Sequence, residues 1–321
     1  PEVERTFHDD DLQAHLDEFG YAVFDVLSPD QVAELRAVVD EIFPEEIDQG
    51  FHASNVADDP AYRRIVHERV GPTLEAALSP MLEDYVLCST LSTMKFPDEG
   101  SGFVVHQDWK MVDERRFRGV NVWCPLVDTD PGNGGLLVLP GSHKLLDAVR
   151  CGPVFPRSYD GPGLRVTWDQ MLPVPVRAGQ ALMFDHRLLH SSGPNRSAER
   201  RPAVVAVMVP AAAQLLHWYL PDPGEDRLEV LAVDRDFFCD FDRSARPDYP
   251  VVAEVPFVHD RITTEELIRS CGGPFDHAPA ASAAGPEVPS DQEPAGVSHL
   301  PARRSAARRL ASRARRRLSR R

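Results

Sequence analysis

The spacing of apolar residues predicts helices over the first quarter of the chain. Residues 9–19 and 29–42 show helical spacing, and a third helical stretch is predicted near 60–78. The second segment has the clearest start, because Ser28 can cap a helix and Pro29 suits its first turn. Its apolar positions recur at steps of three and four residues: Val32, Leu35, Val38, Val39 and Ile42.

After Pro80 the pattern changes to short apolar or alternating runs bounded by Gly, Pro and Asp, which is typical of strands. The predicted strands are 84–96, 102–106, 118–127, 135–139, 164–168, 174–177, 180–185 and 203–209. Helices come first and strands follow, so the order favours helices packed on an antiparallel double sheet. The predicted fold class is mainly β with flanking helices.

Composition limits where the chain works and how it divides. With 321 residues, 42% of them apolar, it can bury a full core. There is no run of 18 apolar residues and no apolar leader in the acidic N-terminus, so we expect a cytoplasmic protein without a membrane span. Five cysteines, an odd number without a CxxC pair, argue against a disulfide framework or a zinc ribbon. Residues 278–321 are low in large apolar residues, and we predict a disordered Ala/Pro/Arg-rich tail.

Charge is divided unequally between the body and this tail. The last twenty residues, 302–321, hold ten arginines and no acid. Residues 1–301 therefore carry 25 basic against 50 acidic residues, a net charge of −25. A body this acidic repels nucleic acid, so no nucleic-acid partner is expected. The tail is interpreted as a solvated extension; contact with an anionic surface or with its own acidic body is the alternative.

A His-x-Asp pair within the strand region is the first candidate for metal chemistry. The pattern occurs three times, but His8/Asp10 and His15/Asp17 fall in or beside a predicted helix, where side chains two residues apart diverge. His106 ends the predicted strand 102–106 and Asp108 extends it, and residues i and i+2 of a strand share a face. Two histidines and one carboxylate are the ligands of non-haem Fe(II) oxygenases, and they leave positions open for a co-substrate and O2.

The third ligand and a co-substrate anchor are found further along the chain. His190 follows the predicted strand 180–185, and Arg201 comes eleven residues later at the start of an apolar run. A guanidinium binds a buried carboxylate through two fixed donors, as the far end of 2-oxoglutarate requires. His186 is an alternative to His190 as ligand, and Arg200 is an alternative to Arg201 as anchor.

Four segments carry a family resemblance: FVVHQDW at 103–109, NVWCPLVD at 121–128, NGGLLVLPGSH at 133–143 and GQALMFDHRLLHSSGPNRSAERR at 179–201. In order and spacing they resemble the phytanoyl-CoA dioxygenase-like family of Fe(II)/2-oxoglutarate-dependent oxygenases. The resemblance covers roughly residues 10–215. It implies a double-stranded β-helix, the jelly-roll or cupin-like core, with Fe(II) as metal, 2-oxoglutarate as co-substrate and O2 as oxidant.

The resemblance also implies roles for individual residues. His106, Asp108 and His190 match the iron ligands, and Arg201 matches the co-substrate arginine. Four further residues fall where relatives place the co-substrate pocket: Lys95, Thr93, Trp123 and Ser192. Lys95 can also be interpreted as a surface lysine. His143 is assigned to the PGSH turn rather than to the metal, and Trp109 is expected to point away from the iron.

The resemblance predicts one oxygenase domain over residues 1–277, with a helical N-terminal part at about 9–78 and a jelly-roll core at about 84–215. The expected reaction is hydroxylation of an unactivated C–H bond in a small molecule of bacterial secondary metabolism. Desaturation, epoxidation, cyclisation and epimerisation are alternatives, and a non-catalytic cupin-like metal-binding protein is a remote one. The substrate can be a free acid, an acyl thioester or a carrier-tethered intermediate. We expect 144–173, and within it 152–163, to form part of a lid or substrate wall. The stretch 214–220 is a further candidate for this role.

Overall fold

The computed structural model describes residues 4–146, 149–150, 165–221, 226–242, 245–258, 260, 262–273 and 275. Its helices are α1 (Asp10–Phe19), α2 (Pro29–Ile42), α3 (Pro60–Leu78), α4 (Phe237–Asp240) and α5 (Thr264–Ser270). The predicted substrate wall at 152–163 and the predicted tail at 278–321 lie outside the described residues. None of the described helices combines the length and the apolar character needed to cross a membrane.

A six-stranded antiparallel sheet is the largest element of the fold. Its strand order is β1-β8-β5-β10-β3-β2. The strands are β1 (Tyr21–Asp25), β2 (Phe51–Ala53), β3 (Tyr85–Lys95), β5 (Val120–Pro125), β8 (Gln180–Asp185) and β10 (Arg201–Pro210). All ten residues of β10 are buried, because this central strand has neighbours on both edges and cores on both faces. The continuous apolar run at 203–209 reflects that double burial.

A four-stranded sheet packs against the inner face of the six-stranded sheet. Its order is β4-β9-β6-β7, from β4 (Phe103–His106), β9 (His190–Ser192), β6 (Leu136–Val138) and β7 (Leu172–Pro173). Trp123, Leu182 and Val205 of the larger sheet share a core cluster with Leu136 and Val138 of the smaller one. The two packed antiparallel sheets confirm the predicted jelly-roll core with flanking helices.

Helices cover the outer faces of both sheets. The first three cover the larger sheet, where Leu35 and Val39 of α2 join the cluster that contains Val204 and Met208 of β10. The predicted start of α2 is confirmed, since Ser28 forms a capping box with Gln31. Leu267 and Ile268 of α5 pack in one cluster with residues of the four-stranded sheet. The functional face of the sandwich is therefore the interior between the sheets.

Two features differ from the predicted elements. The predicted strand at 164–168 is wrong where it can be compared, because residues 165–167 are irregular and Trp168–Gln170 forms a 3-10 helix. Residues 174–177 contribute only an isolated bridge between Val176 and Thr129.

A further three-stranded sheet follows the core, in the order β11-β12-β13. Its strands are β11 (Leu216–Tyr219), β12 (Arg227–Ala232) and β13 (Val251–Pro256).

Candidate active site

Two histidines and one aspartate converge at the end of the four-stranded sheet. His106 and His190 are register partners on the neighbouring strands β4 and β9, so their side chains leave the same face. Asp108 lies two residues beyond the end of β4. Its Oδ1 lies 3.8 Å from Nε2 of His106, and its Oδ2 lies 3.7 Å from Nε2 of His190. One ligand atom from each of the three residues falls within 4.8 Å of the others, a spacing that a single metal ion can bridge.

The protein prepares both imidazoles as metal ligands. Nδ1 of His106 is 3.0 Å from the carbonyl oxygen of Val104, and Nδ1 of His190 is 3.1 Å from that of Leu188. A carbonyl only accepts, so Nδ1 carries the proton and the lone pair lies on Nε2, facing the cluster. Burial lowers the pKa of His106 to about 3, with His190 adding to the effect. Burial also lowers the pKa of His190 to about 4, so both rings are neutral at pH 7.

The aspartate is held from the opposite sheet. Asn121 of β5 donates from Nδ2 to Oδ2 of Asp108 at 2.7 Å. The backbone of Asp108 is held as well, because its N–H donates to the carbonyl of His186 at 3.0 Å and its own carbonyl accepts from Nε of Arg150 at 2.6 Å. The position of the carboxylate is therefore set by contacts on its side chain and on both sides of its peptide. Sequence reasoning did not single out Asn121 or Arg150.

Two buried cations lie on the inner face of the six-stranded sheet. Arg201 and Lys95 are register partners on β10 and β3. Arg201 is 2% exposed and Lys95 is fully buried. Among the described residues no carboxylate forms an ion pair with either side chain. Burial lowers the pKa of Arg201 to about 9, and burial together with Arg201 lowers the pKa of Lys95 well below its usual range.

Part of the Arg201 guanidinium has no hydrogen-bond partner among the described residues. Its Nε and Nη1 atoms are buried and have no hydrogen-bond partner among the described residues. The hydroxyl of Thr93, two residues before Lys95 on the same face of β3, is also buried, and no described residue hydrogen-bonds to it. Buried donors of this kind are costly unless a ligand satisfies them. The arrangement fits an anionic ligand with oxygen acceptors.

The remaining predicted pocket residues connect the two cations to the histidines. The guanidinium carbon of Arg201 lies 5.3 Å from the ring centroid of Trp123, a cation–π distance. Nζ of Lys95 donates to the carbonyl of Ser192 at 3.2 Å and also to that of Gly193. Ser192 is two residues after His190 on β9, and therefore on the same face of the strand. The structure thus brings all eight predicted residues to one region between the sheets.

The alternative residues lie elsewhere. His186 is buried outside the His–Asp–His group, with its Nε2 3.3 Å from Oδ1 of Asn121. Arg200 faces the other way from Arg201 and approaches Asp40 at 3.5 Å with about half of its side chain exposed. His143 lies in the PGSH turn, and Trp109 packs on His217 and Phe241. His190 and Arg201, rather than these neighbours, face the interior between the sheets, and their roles stay predictions.

Comparison with known proteins adds relatives of known class. The chain is 28% identical over 179 residues to the phytanoyl-CoA dioxygenase domain-containing protein 1 of Mus musculus, which covers 52% of the chain and 60% of the relative. It is 27% identical over 237 residues to the ectoine dioxygenase of Nocardia farcinica, covering 61% of the chain and 75% of the relative. The chain thus spans less than two thirds of the length of the mouse relative.

Solved structures include an epimerase, SnoN, in complex with Fe3+, alpha ketoglutarate and nogalamycin RO. It is 22% identical, covers 78% of this chain and 96% of its own, and has a TM-score of 0.49.

The model of the family described as Phytanoyl-CoA dioxygenase (PhyH) matches residues 16–203, more than half of the chain. The resemblance predicted from the sequence motifs is confirmed, and the chain belongs to the phytanoyl-CoA dioxygenase (PhyH) family.

Proposed function

We propose that this chain is an Fe(II)- and 2-oxoglutarate-dependent dioxygenase that hydroxylates an unactivated C–H bond of a small molecule in the cytoplasm. Membership of the phytanoyl-CoA dioxygenase family supports the class of reaction. The four cysteines that the structure describes are free, in keeping with a reducing compartment. The observation that carries the proposal is the buried guanidinium of Arg201, whose Nε and Nη1 have no partner in the described part of the chain, in the same sandwich interior as the His–Asp–His group.

The donor set fits iron better than the common structural metals. His106, Asp108 and His190 would bind Fe(II) through two neutral imidazoles and one carboxylate on one face of the ion. That set leaves further positions open to a bidentate co-substrate and O2, whereas structural zinc sites use four protein ligands. The backbone carbonyls of Val104 and Leu188 fix both rings, so the ligands are oriented before the metal arrives.

The buried cations fit a dicarboxylate co-substrate. Arg201 would bind the distal carboxylate of 2-oxoglutarate through its unpaired Nε and Nη1 atoms. The free hydroxyl of Thr93 and the ammonium of Lys95 would add donors from the neighbouring strand. The ring of Trp123 lies at a cation–π distance from the guanidinium of Arg201, and the backbone carbonyl of Ser192 accepts a hydrogen bond from Lys95. Together these contacts would align the co-substrate and would keep water from its charged end.

When bound, the iron, 2-oxoglutarate and O2 together supply the oxidising power for attack on a C–H bond. The protein contributes orientation and a dry interior. Asp108 is present, and related halogenases lack this carboxylate, so hydroxylation is favoured over halogenation. Desaturation, epoxidation, cyclisation and epimerisation are alternative outcomes of the same cofactors. We place the substrate among small molecules of bacterial secondary metabolism, as a free acid, acyl thioester or carrier-tethered intermediate.

An anaerobic titration tests the proposal directly. Apo-protein receives Fe(II) and then 2-oxoglutarate, and the visible metal-to-ligand charge-transfer band is recorded for wild type, His106→Ala and Arg201→Ala. We expect the band in wild type, its loss without His106, and a requirement for far more 2-oxoglutarate without Arg201. Arg200→Ala is the matched control and should behave like wild type. A folded, iron-loaded wild type without the band would favour the non-catalytic cupin-like metal-binding protein instead.

A further inference from the structure

The Asp108 carboxylate has two chemically different oxygens in this structure. Oδ2 accepts the hydrogen bond from Nδ2 of Asn121 at 2.7 Å. Among the described residues no side chain donates a hydrogen bond to Oδ1, which lies 3.8 Å from Nε2 of His106. A carboxylate oxygen that accepts a charge-assisted hydrogen bond from an amide is less available as a metal ligand. The contact therefore distinguishes one oxygen from the other.

Asn121 is itself oriented by a buried histidine. Nε2 of His186 lies 3.3 Å from Oδ1 of Asn121, and the ring is 1% exposed. An ionised carboxylate only accepts hydrogen bonds, so the NH2 group of Asn121 must face Asp108 and its carbonyl must face His186. His186 completes the chain by donating from Nε2. The side chains of His186, Asn121 and Asp108 thus form a hydrogen-bonded chain.

The histidine has little freedom to move. Its backbone N–H donates to the carbonyl of Gly119 at 3.0 Å, and its carbonyl accepts from the N–H of Asp108 at 3.0 Å. A Cβ atom at Gly119 would lie 2.5 Å from Nδ1 of the ring, so the ring occupies space that only a glycine leaves open. His186 is thus fixed by the two backbone segments that carry Asn121 and Asp108.

We propose that Asn121 is a positioning residue that holds Asp108 through Oδ2, so that Oδ1 binds the metal, and that His186 acts by orienting Asn121. The inference rests on the proposed function, because the ligand in question is the Fe(II) of that site. It assigns a role to two residues outside the His–Asp–His group. It also accounts for the buried histidine four residues before His190, which the metal does not need as a ligand.

Removing the amide should weaken metal binding without unfolding the protein. Asn121→Leu keeps the side-chain volume but removes both hydrogen bonds. Loss of a hydrogen bond to a ligand typically costs about 10–100-fold in metal affinity. Mn(II) binding to the apo-protein, measured by calorimetry and by the electron paramagnetic resonance signal of free Mn(II), gives the dissociation constant without turnover. Cys124→Ala, on the same strand but in the helix-side core, is the matched control and should leave metal affinity unchanged.

A double-mutant cycle tests the role of His186. His186→Phe should weaken Mn(II) binding in the wild-type background but have little further effect in Asn121→Leu, because the histidine acts through the amide. His186→Gln should restore much of the affinity, since a glutamine amide can donate to Asn121. An equal loss of Mn(II) affinity from His186→Phe in both backgrounds would refute the proposal that His186 acts by orienting Asn121.

Mn(II) binding by wild type and by Asn121→Leu separates a failure of the positioning role from a failure of the proposed function. If wild type binds Mn(II) and gives the 2-oxoglutarate charge-transfer band, but Asn121→Leu binds Mn(II) within about twofold of wild type, the positioning role is refuted and the function stands. If wild type binds no metal, the proposed function fails first. A normal thermal midpoint for apo Asn121→Leu, beside a raised metal dissociation constant, is the expected result.

Discussion

Arg201 is buried between the sheets beside a second cation, with two nitrogen atoms that have no hydrogen-bond partner among the described residues. Replacing it by methionine removes the charge and the donors but keeps most of the apolar stem. A residue kept for binding rather than for stability should give opposite effects on the two properties. Arg201→Met should therefore stabilise the apo-protein and weaken 2-oxoglutarate binding.

The stability effect can be sized from the pKa of Arg201. Burial lowers it from its ordinary value to about 9. At about 1.36 kcal/mol per pH unit, this difference corresponds to roughly 5 kcal/mol of unfavourable free energy for holding the charge in the fold. The cation–π contact with Trp123 offsets part of that cost. Replacing a buried ion pair by apolar side chains of similar volume is often neutral or stabilising by about 1–4 kcal/mol, and for this lone buried charge we expect a gain in the lower half of that range.

The binding effect follows from the lost donors. A hydrogen bond to a charged group contributes about 1.5–3 kcal/mol, and a bidentate contact contains two. Lys95 remains and keeps part of the attraction, so we expect a loss near 3 kcal/mol. At 1.4 kcal/mol per tenfold, the dissociation constant of 2-oxoglutarate should rise about 100-fold.

Calorimetric titration of 2-oxoglutarate into the Mn(II)-loaded protein measures the affinity, and circular dichroism measures the thermal midpoint of the apo-protein. Arg200→Met is the matched control, because this neighbour is half exposed on the opposite face, and it should change neither quantity. Arg118→Met removes a buried arginine that is paired with Asp17 and Asp185, and it should lower the midpoint. A drop in the midpoint of Arg201→Met as large as that of Arg118→Met, with unchanged 2-oxoglutarate affinity, would refute the reasoning.

His217 and Gly119 give two further predictions. Burial lowers the pKa of His217 to about 4, so the unfolded chain takes up a proton first and stability falls as pH drops from about 6.5 to 4. His217→Gln should remove up to roughly 3 kcal/mol of that loss, seen as a shallower pH dependence of the free energy of unfolding; an unchanged slope would contradict it. Gly119→Ala should displace the His186 ring and cost about 1–3 kcal/mol of stability, measured by urea denaturation, and an unaltered midpoint would show that the ring yields freely.

Long, regular segments of this fold could be predicted from the sequence, whereas the short strands could not. Three helices begin within one residue of their predicted starts, because each contains at least two turns of periodic apolar positions. The strand that carries His190 is three residues long, so it contains too few positions for a period-two pattern to show. Its strand geometry comes from pairing with β4 and β6, which are distant in sequence. The five-residue strand β1 was not predicted either.

The site shows the same division. His106, Asp108, His190 and Arg201 stand in motifs whose spacing is informative, and the structure brings them together. Asn121 carries no such signal, because an asparagine within a strand is uninformative until its neighbour across the sandwich is known. Its position two residues before Trp123 placed it on the inner face, and that was the available clue.

The hydrogen bond between Asn121 and Asp108 joins the two sheets of the sandwich at the metal site. Asn121 belongs to the larger sheet, and Asp108 extends from the edge of the smaller one. The distance between these sheets is maintained by the side chains packed between them, including Trp123, Leu136 and Val205. The position of Asp108 at the metal site therefore depends on the distance between the two sheets. Substitutions that widen or narrow this core should shift Asp108 and change metal binding, although the ligands themselves stay the same.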